Sequence, residues 1–482
     1  MSTKYANIGQ VGILGLSALA LAAGNLAYAQ ENMLEEVTVT AQKRAQSLQD
    51  VPLSVSAIAG DKLEKSAITD LADLTSYVPN FSKSDTSIGQ YLVIRGISSG
   101  INQGFEQSVV QFVDDIALGR SNLARMPFMD LERVEVLRGP QNVLFGKNAI
   151  GGAISMVTAK PTEELMARTL LEYTPDWDGK SVTGVVSGPF SETIRGRLAV
   201  RYAEDNGYFD NNLTGNEEPN RKESAIRGII DWDITETFSA SLKLERSNLD
   251  FRGRNDEMFF TYANPIPGDP FMGLTYPQIA MAVGALTGQD VGSDDGKQDY
   301  RRNTNLAETS DNEVNNATLR LDWDLDWATL TSVTGYVDYT VDERTDTDAA
   351  GIDAFTQKKD QSFDQFSQEI RFTSPGGEFF DWIGGAYYQT WDLEHQSLFL
   401  VDDQNLWSAL GILGAATGDP NLAALGYLTN LQNNRNYDGD SDLWAVFAQG
   451  TFNLSDRFRL TLGARYSDEK KSAHRVMDVI NS

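Results

Sequence analysis

The feature that most constrains this chain is a series of short alternating segments that fills it after residue 165. In 194–203, Ile194, Leu198, Val200 and Tyr202 fall on one face of an extended strand, and Arg195, Arg197 and Arg201 on the other. In 238–245, Phe238, Ala240, Leu242 and Leu244 oppose Ser239, Ser241, Lys243 and Glu245. In 457–466, Phe458, Leu460, Leu462, Ala464 and Tyr466 oppose Arg457, Arg459, Thr461 and Arg465. Side chains alternate across a strand, so period two predicts strands. One face is apolar with aromatics towards the ends and the other is charged, which suits lipid outside and water inside.

A soluble sandwich alternates too, and the connections separate the two readings. Strands are predicted near 166–174, 181–189, 194–204, 224–234, 237–248, 314–325, 327–339, 365–374, 379–391, 442–454 and 456–466. Short connections fall at 188–193, 235–236, 326, 375–378 and 455. Long ones fall at 205–223, 249–313, 340–364 and 392–441. Short turns at one end and long loops at the other describe a membrane barrel with a periplasmic and an extracellular face. No segment after the leader is apolar enough to span as a helix, and a closed barrel is the other way to satisfy the backbone in lipid.

The start of the chain fits an envelope protein. Lys4, an apolar stretch over 8–23 and Ala27-Tyr28-Ala29 before Gln30 make residues 1–29 a signal peptide. The formal charge of -28 argues against nucleic acid as a partner, since phosphate needs a basic face. There is no cysteine and there are only two histidines, His395 and His474. Disulfides, thiol metal sites and histidine-based acid–base catalysis therefore have almost nothing to work with. No enzyme activity is expected.

Between leader and barrel lie two further parts. Residues 30–47 are polar except for Glu36-Val37-Thr38-Val39-Thr40-Ala41, whose alternating valines and threonines favour an extended strand. Nothing near it in sequence is apolar enough to fold with it, so it reads as an exposed strand open to pairing by a partner. Residues 48–160 read as an α+β domain of ordinary size. An extended run covers 51–58, helices are predicted at 61–65 and 68–77, and strands at 91–94 and 109–113. The domain closes on LERVEVLRGPQNVLFGKNAIGGAI, residues 131–154. There a strand breaks into turns at Gly139-Pro140, Gly146 and Gly151-Gly152 and returns as a second strand.

These parts, in this order, resemble the TonB-dependent outer-membrane receptors. Residues 36–41 are similar to the TonB box. Ile94-Arg95-Gly96, Val113-Asp114-Asp115 and the 131–154 stretch are similar to successive motifs of the plug domain, with Asp115 standing where glycine is commoner. The resemblance implies a membrane β-barrel with an N-terminal α+β plug, 161–482 being its N-terminal part: about 11 of roughly 22 antiparallel strands. Eleven strands could not enclose a 110-residue plug, so an open sheet with two unpaired edges is expected, and 467–482 reads as the start of another outer loop. The resemblance also implies location in the outer membrane of a Gram-negative bacterium. It implies the periplasmic protein TonB as partner and energy-coupled uptake of a scarce small molecule, most often an iron–siderophore complex.

Within that resemblance, Glu132, Arg133, Glu135 and Arg138 are expected to tie the plug to the barrel wall, with Arg195, Arg197, Arg201 and Arg465 as counterparts. Such contacts are expected to be polar and wetted, leaving the plug free to move. Phe259, Phe260 and Tyr262 are the candidate ligand readers in the loops, and 277–288 and 404–432 are expected to hold short helices. Acidic clusters at 290–295 and 438–442 match no twelve-residue calcium loop and read as solvated loops, so no metal or cofactor is expected. Two readings stand beside siderophore uptake: TonB-dependent uptake of a carbohydrate or aryl compound, and a passive porin. The box and the plug argue against the porin.

Overall fold

A computed structural model describes residues 38–481, except Ala41, 86–89, 101–103, Phe105, 258–262, 264–272, Gln289, 293–297, Ala349, 352–354, Glu378, 402–410, 412–413, Thr417, Asp419, 426–430 and Asp456. The plug begins with two short paired strands, β1 (Thr38–Val39) and β2 (Gln46–Ser47). Next come β3 (Ser54–Ala59), helices α1 (Gly60–Lys65) and α2 (Leu71–Leu74), and the hairpin β4 (Phe81–Asp85) and β5 (Gln90–Ile94). Then follow β6 (Val109–Val113), β7 (Ile116–Leu118), β8 (Leu131–Arg138), helix α3 (Asn142–Phe145) and β9 (Gly152–Thr158).

Five of these strands form one sheet in the order β3-β8-β9-β6-β7, with β6 and β9 parallel. Alternation on β8 explains why both its faces are covered. Val134 and Val136 join the large core with Leu71, Leu74, Leu92 and Ile154, while Leu137 packs on the opposite face with Val39, Val110 and Ala153. The sequence over 68–77 promised a longer helix than α2. Asp70 caps it tightly instead, its carboxylate accepting from the backbone N–H of Ala72 at 2.6 Å and of Asp73 at 3.1 Å, so the helix starts late.

The wall follows in chain order: β10 (Met166–Thr174), β11 (Gly179–Pro189), β12 (Ile194–Asp205), the short loop strands β13 (Phe209–Asn211) and β14 (Glu217–Glu218), β15 (Asn220–Asp233) and β16 (Phe238–Arg252). Helix α4 (Tyr276–Thr287) and the short β17 (Arg301–Arg302) lie in the next loop. Then come β18 (Thr309–Leu325), β19 (Ala328–Asp346), β20 (Phe355–Thr373), β21 (Phe380–Val401), helix α5 (Pro420–Leu425), β22 (Leu431–Ser455) and β23 (Phe458–Asn481).

Among the described residues eleven of these strands, β10 to β23 without the three short loop strands, form one antiparallel sheet, and β10 and β23 do not pair with each other. The sheet contacts the plug from both ends: Arg168 on β10 meets Glu64, and Glu469 on β23 meets Lys147.

The expected faces hold. Leu198, Val200, Tyr202, Leu242 and Leu244 are exposed on the outside, while Arg197, Arg201, Lys243 and Glu245 are buried on the inside. The outer ends differ from expectation. Strands run to 25 residues in β22, well beyond the 9–11 that cross a bilayer. There both faces are polar, so the alternation that marks a strand in sequence vanishes while the backbone ladder continues. The ladder with β22 carries β23 through 467–481, so that stretch is strand rather than loop, and Asp438, Asp440 and Asp442 lie on β22 rather than in a loop. In the 277–288 region the helix does form, with Thr275 and Gln278 closing a capping box. Of the 404–432 stretch, helix α5 is described, and Leu431 already belongs to β22.

Cross-strand register fixes where the lipid belt ends. Phe238, Trp323, Leu330 and Phe372 lie side by side in one outward-facing row at the short-turn end. Eight residues further along the strands, Asp338, Asp364, Asp392 and Asp440 are directly opposite one another in a single row. Four residues beyond that, Asp250, Asp311, Asp342 and Asp360 form a second such row.

Candidate functional site

The box is docked, not free. Val39 is fully buried against Val51, Phe112 and Leu137, which corrects the expectation that nothing apolar would cover this strand; its partners come from elsewhere in the plug. Thr40 is held by the charges of β8. Glu135 Oε1 accepts from the Thr40 N–H at 2.8 Å, from its hydroxyl at 3.1 Å and from Arg133 Nε at 2.7 Å. Arg133 Nη2 donates to Thr40 Oγ1 at 3.0 Å, and Arg133 also meets Glu132. Glu135 is fully buried. Glu36, Val37 and Ala41 lie outside the described residues.

The next two residues cross to the wall. Lys43 Nζ donates to both oxygens of Glu369, at 2.8 and 2.6 Å, and stands 3.9 Å from Asp115. Arg44 donates to Asp381 at 3.0 Å and to the Ser374 hydroxyl at 2.9 Å.

The expected pairing of β8 charges with wall arginines does not occur. Glu132, Arg133 and Glu135 serve the box, and Arg138 Nη1 reaches the Pro79 carbonyl at 3.3 Å. The wall arginines find other partners: Arg195 pairs with Asp233 at 2.8 Å, Arg201 with Glu223 at 2.6 Å, and Arg465 lies over the rings of Tyr387 and Phe447. Arg197 does bind the plug, but through Asp130 at 2.5 Å, one residue before β8. Strand β8 is interior to the plug sheet, so its side chains face plug neighbours; the wall is met by turns at the sheet's ends.

One such turn joins β6 to β7 and carries the other predicted acids. Asp115 accepts from Arg371 at 2.8 Å and from Arg320 at 3.2 Å, and Asp114 pairs with Lys243 and takes the Thr158 N–H at 2.9 Å. Burial pushes both carboxyls up. The cations outweigh it and hold both below the usual carboxylate range, chiefly Lys243 for Asp114 and Arg371 for Asp115. Both residues have positive φ, 49° and 71°, an unfavourable region for a side chain; asparagine and aspartate enter it most readily. The ionic contacts offset the strain that glycine would avoid.

The remaining motif residues shape turns. Arg95 and Gly96 follow β5 with φ of 52° and 79°, and Arg95 lies against Gly139. Gly139, φ 100°, ends β8 before Pro140, and Gly146, φ 89°, ends α3 beside Arg465. Gly151 and Gly152 bring β9 so near β8 that a Cβ on Gly152 would lie 2.3 Å from the Leu137 carbonyl oxygen.

The plug–wall contact has a part that sequence reasoning missed. Tyr339, Phe363, Trp391 and Leu393 of β19–β21 belong to the same buried cluster as Ile116, Leu118 and Leu123 of the plug. Arg120, buried, stands 4.2 Å over the Trp391 ring and 5.2 Å over Phe363. A polar, wetted contact all round was expected. This sector is dry, because inward-facing positions of β19–β21 are aromatic where those of β12–β16 are charged. No single strand carried that signal; it shows when the inward positions of β19, β20 and β21 are set side by side.

At the long-loop end a cavity of about 1020 Å³ opens between the plug, at Asp70, Lys83 and Arg125, and the wall, at Tyr173, Trp177, Tyr208 and Arg254. Tyr208 lies 6.2 Å from Trp177 and 5.9 Å from Tyr300, ring centre to ring centre. These rings were not among the sequence candidates; Tyr208 and Tyr300 adjoin the loop strands β13 and β17, and Trp177 lies in the turn between β10 and β11. Phe259, Phe260 and Tyr262 lie outside the described residues.

Residues 47–153 match the family model of the TonB-dependent Receptor Plug Domain, and residues 245–477 match that of the TonB dependent receptor-like beta-barrel. Among curated proteins, the chain is 29% identical over 197 residues to the iron-regulated outer membrane virulence protein of Vibrio cholerae, covering 37% of this chain and 30% of that protein. It is 26% identical over 200 residues to the ferripyoverdine receptor of Pseudomonas aeruginosa, covering 40% and 23%. The matches thus take in less than a third of these relatives' length. Among solved structures, the ferric yersiniabactin uptake receptor of Yersinia pestis aligns with a TM-score of 0.66 at 17% identity, over 89% of this chain and 60% of that one. The ferripyoverdine receptor of P. aeruginosa aligns with a TM-score of 0.67 at 16% identity, over 92% and 55%. At these identities the structures establish a shared fold.

Proposed function

The chain belongs to the TonB-dependent receptor family, an outer-membrane family of Gram-negative bacteria, and from that premise we propose that it takes up an iron–siderophore complex at the expense of the proton gradient. The observation that carries the reading is the docked box. A strand that is buried at Val39 and held at Thr40, Lys43 and Arg44 cannot be captured by strand addition until it is released. Such a segment suits a partner that engages only after a signal from the outer face, and a passive pore has no use for it. The ligand enters the cavity between Arg125, Trp177 and Tyr208, and TonB pairs with the freed strand in the periplasm. Siderophore cargo is supported by the names of the relatives, several of which are receptors for ferric chelates.

The test is uptake of radioiron-loaded hydroxamate and catecholate siderophores by cells with and without TonB. TonB-dependent uptake of at least one is the expected result, and deletion of residues 36–41 removes uptake while sparing ligand binding. Uptake that survives the deletion speaks for a porin; TonB-dependent uptake of a sugar or aryl compound alone overturns the siderophore reading.

A further inference from the structure

The cavity at the long-loop end is lined by many charges, and the way they pair decides what it can hold. Arg201 and Arg221 both bind Glu223, each at 2.6 Å, and Arg221 also reaches Asp70 at 3.6 Å. Arg254 binds Glu343 at 2.6 Å, and Arg125 donates to the Ser310 hydroxyl at 3.0 Å and stands 3.8 Å from Glu343. Glu223 and Glu343 are buried. An anionic ligand would have to draw a guanidinium away from one of them, and a buried carboxylate left without its cation is costly. The lysines of the lining also stand beside carboxylates: Lys180 binds Asp178 at 2.8 Å, and Lys83 neighbours Asp70.

One carboxylate of the lining is in the opposite position. Asp205, the last residue of β12, lies opposite Arg221 in the ladder, but Arg221 is taken by Glu223 and Asp70. Among the described residues Asp205 makes no ion pair. Just after it the chain turns at Gly207, φ 81°, where a Cβ would lie 2.3 Å from the Glu218 carbonyl oxygen. The turn sets the Asn206 N–H on the Trp177 carbonyl at 3.1 Å and brings in Tyr208. Asp205, Trp177 and Tyr208 therefore line the same cavity, with both rings exposed. A carboxylate attracts a cation by charge and a ring face attracts it by its quadrupole; both repel an anion.

We propose that Asp205, Trp177 and Tyr208 form a seat for a primary ammonium group, and that the receptor selects ferric complexes carrying such a group over anionic ones. The inference rests on the uptake function proposed above and narrows its cargo. In a ferric tris-hydroxamate the metal and ligand charges cancel, so a pendant ammonium makes the whole complex a cation. A ferric tris-catecholate is strongly anionic and would meet arginines that are already bound to wall carboxylates.

The test compares ferrioxamine B, a ferric trihydroxamate with a pendant ammonium, with its N-acetyl derivative, which differs in that charge. Purified receptor in a neutral detergent is titrated with each, and binding is read by quenching of tryptophan fluorescence. The ammonium form is expected to bind about tenfold more tightly. Asp205→Asn is expected to bring the ratio close to one and to leave the affinity for the N-acetyl form unchanged, which shows that the variant is folded; if it does not fold, the wild-type ratio decides. Equal affinities in the wild type, or tighter binding of a ferric tris-catecholate, overturn the proposal. Phenethylammonium, which carries no iron, is titrated in parallel by saturation-transfer NMR. Saturable binding that Asp205→Asn removes is expected, and its absence overturns the seat even where ferric complexes bind. The uptake reading fails separately, when no ferric complex of any charge binds or enters cells, and the phenethylammonium titration still decides the seat.

Discussion

The plug touches its wall in two ways. Against β19–β23 the contact is closed: Tyr339, Phe363 and Trp391 pack with Ile116 and Leu118, Arg120 stacks on the rings, and Gly335 leaves room for Ile116, whose Cδ1 would stand 2.3 Å from a Cβ there. Against β12–β18 the contact is ionic and borders a gap of about 650 Å³, with Lys243 on Asp114 and Arg320 on Asp115. The difference teaches that a domain can be both anchored and movable. Apolar burial fixes it on one flank, where separation would expose aromatic surface. On the other flank the contacts are ion pairs bordering the gap, and parting them bares no aromatic surface. Motion is therefore expected to be a local opening along the charged flank.

The largest test strikes the closed side. Trp391→Ala removes a buried ring from the aromatic cluster and is expected to destabilise the protein in detergent by about 3–5 kcal/mol, read from denaturant midpoints by intrinsic fluorescence. A loss comparable to that of a surface residue would mean that the plug is not anchored there.

Next comes acid. Glu106 of the plug binds Lys147 at 2.8 Å and Lys471 of β23 at 2.6 Å. Burial pushes its carboxyl up, but the two ammonium groups outweigh that and bring it to about 2. Because the folded value lies below the unfolded one, its stabilisation is full above about pH 4.5 and is lost as pH falls towards 2. The expected loss is about 2–3 kcal/mol over that window, and Glu106→Gln flattens this part of the stability profile.

The open side gives smaller effects. Lys243→Met leaves Asp114 facing the gap without its main cation, and water there limits the expected cost to about 1–2 kcal/mol. Asp114→Asn in the same background is expected to recover most of it, measured as a double-mutant cycle. Smallest is Arg320→Ala, at about 0–1 kcal/mol, since Arg320 is partly exposed and Arg371 still holds Asp115. A cost above that of Trp391→Ala would invert the comparison.

Much of this was legible from the sequence. Wherever one face met lipid and the other water, as in 194–203 and 238–245, alternation gave the strand and its orientation. It failed where the two faces do not alternate, as in 431–441 of β22 and the outer part of β23, because pairing there is sustained by neighbouring strands rather than by a pattern within the segment. The motif 131–154 gave the turns at Gly139 and Gly152, since glycine answers to backbone geometry. It misdirected Glu132, Arg133 and Glu135. A charge pattern says that a partner exists, and only the sheet order β3-β8-β9-β6-β7 shows that the partner is the box. The dry sector was hidden for the opposite reason: Tyr339, Phe363 and Trp391 come from three strands and read singly as ordinary aromatics.

The row of Asp338, Asp364, Asp392 and Asp440 works as a depth gauge. Each carboxylate drawn into hydrocarbon costs energy, and register places four of them at one height, so sinking the wall by a single pair of residues would submerge all four together. At the other end the row of Phe238, Trp323 and Phe372 resists being lifted out of the interface it occupies. A pull on the box, as in the function proposed above, would thus act on a wall held at its depth, and would go into the segment between Thr38 and Lys43 instead of into displacing the wall through the membrane.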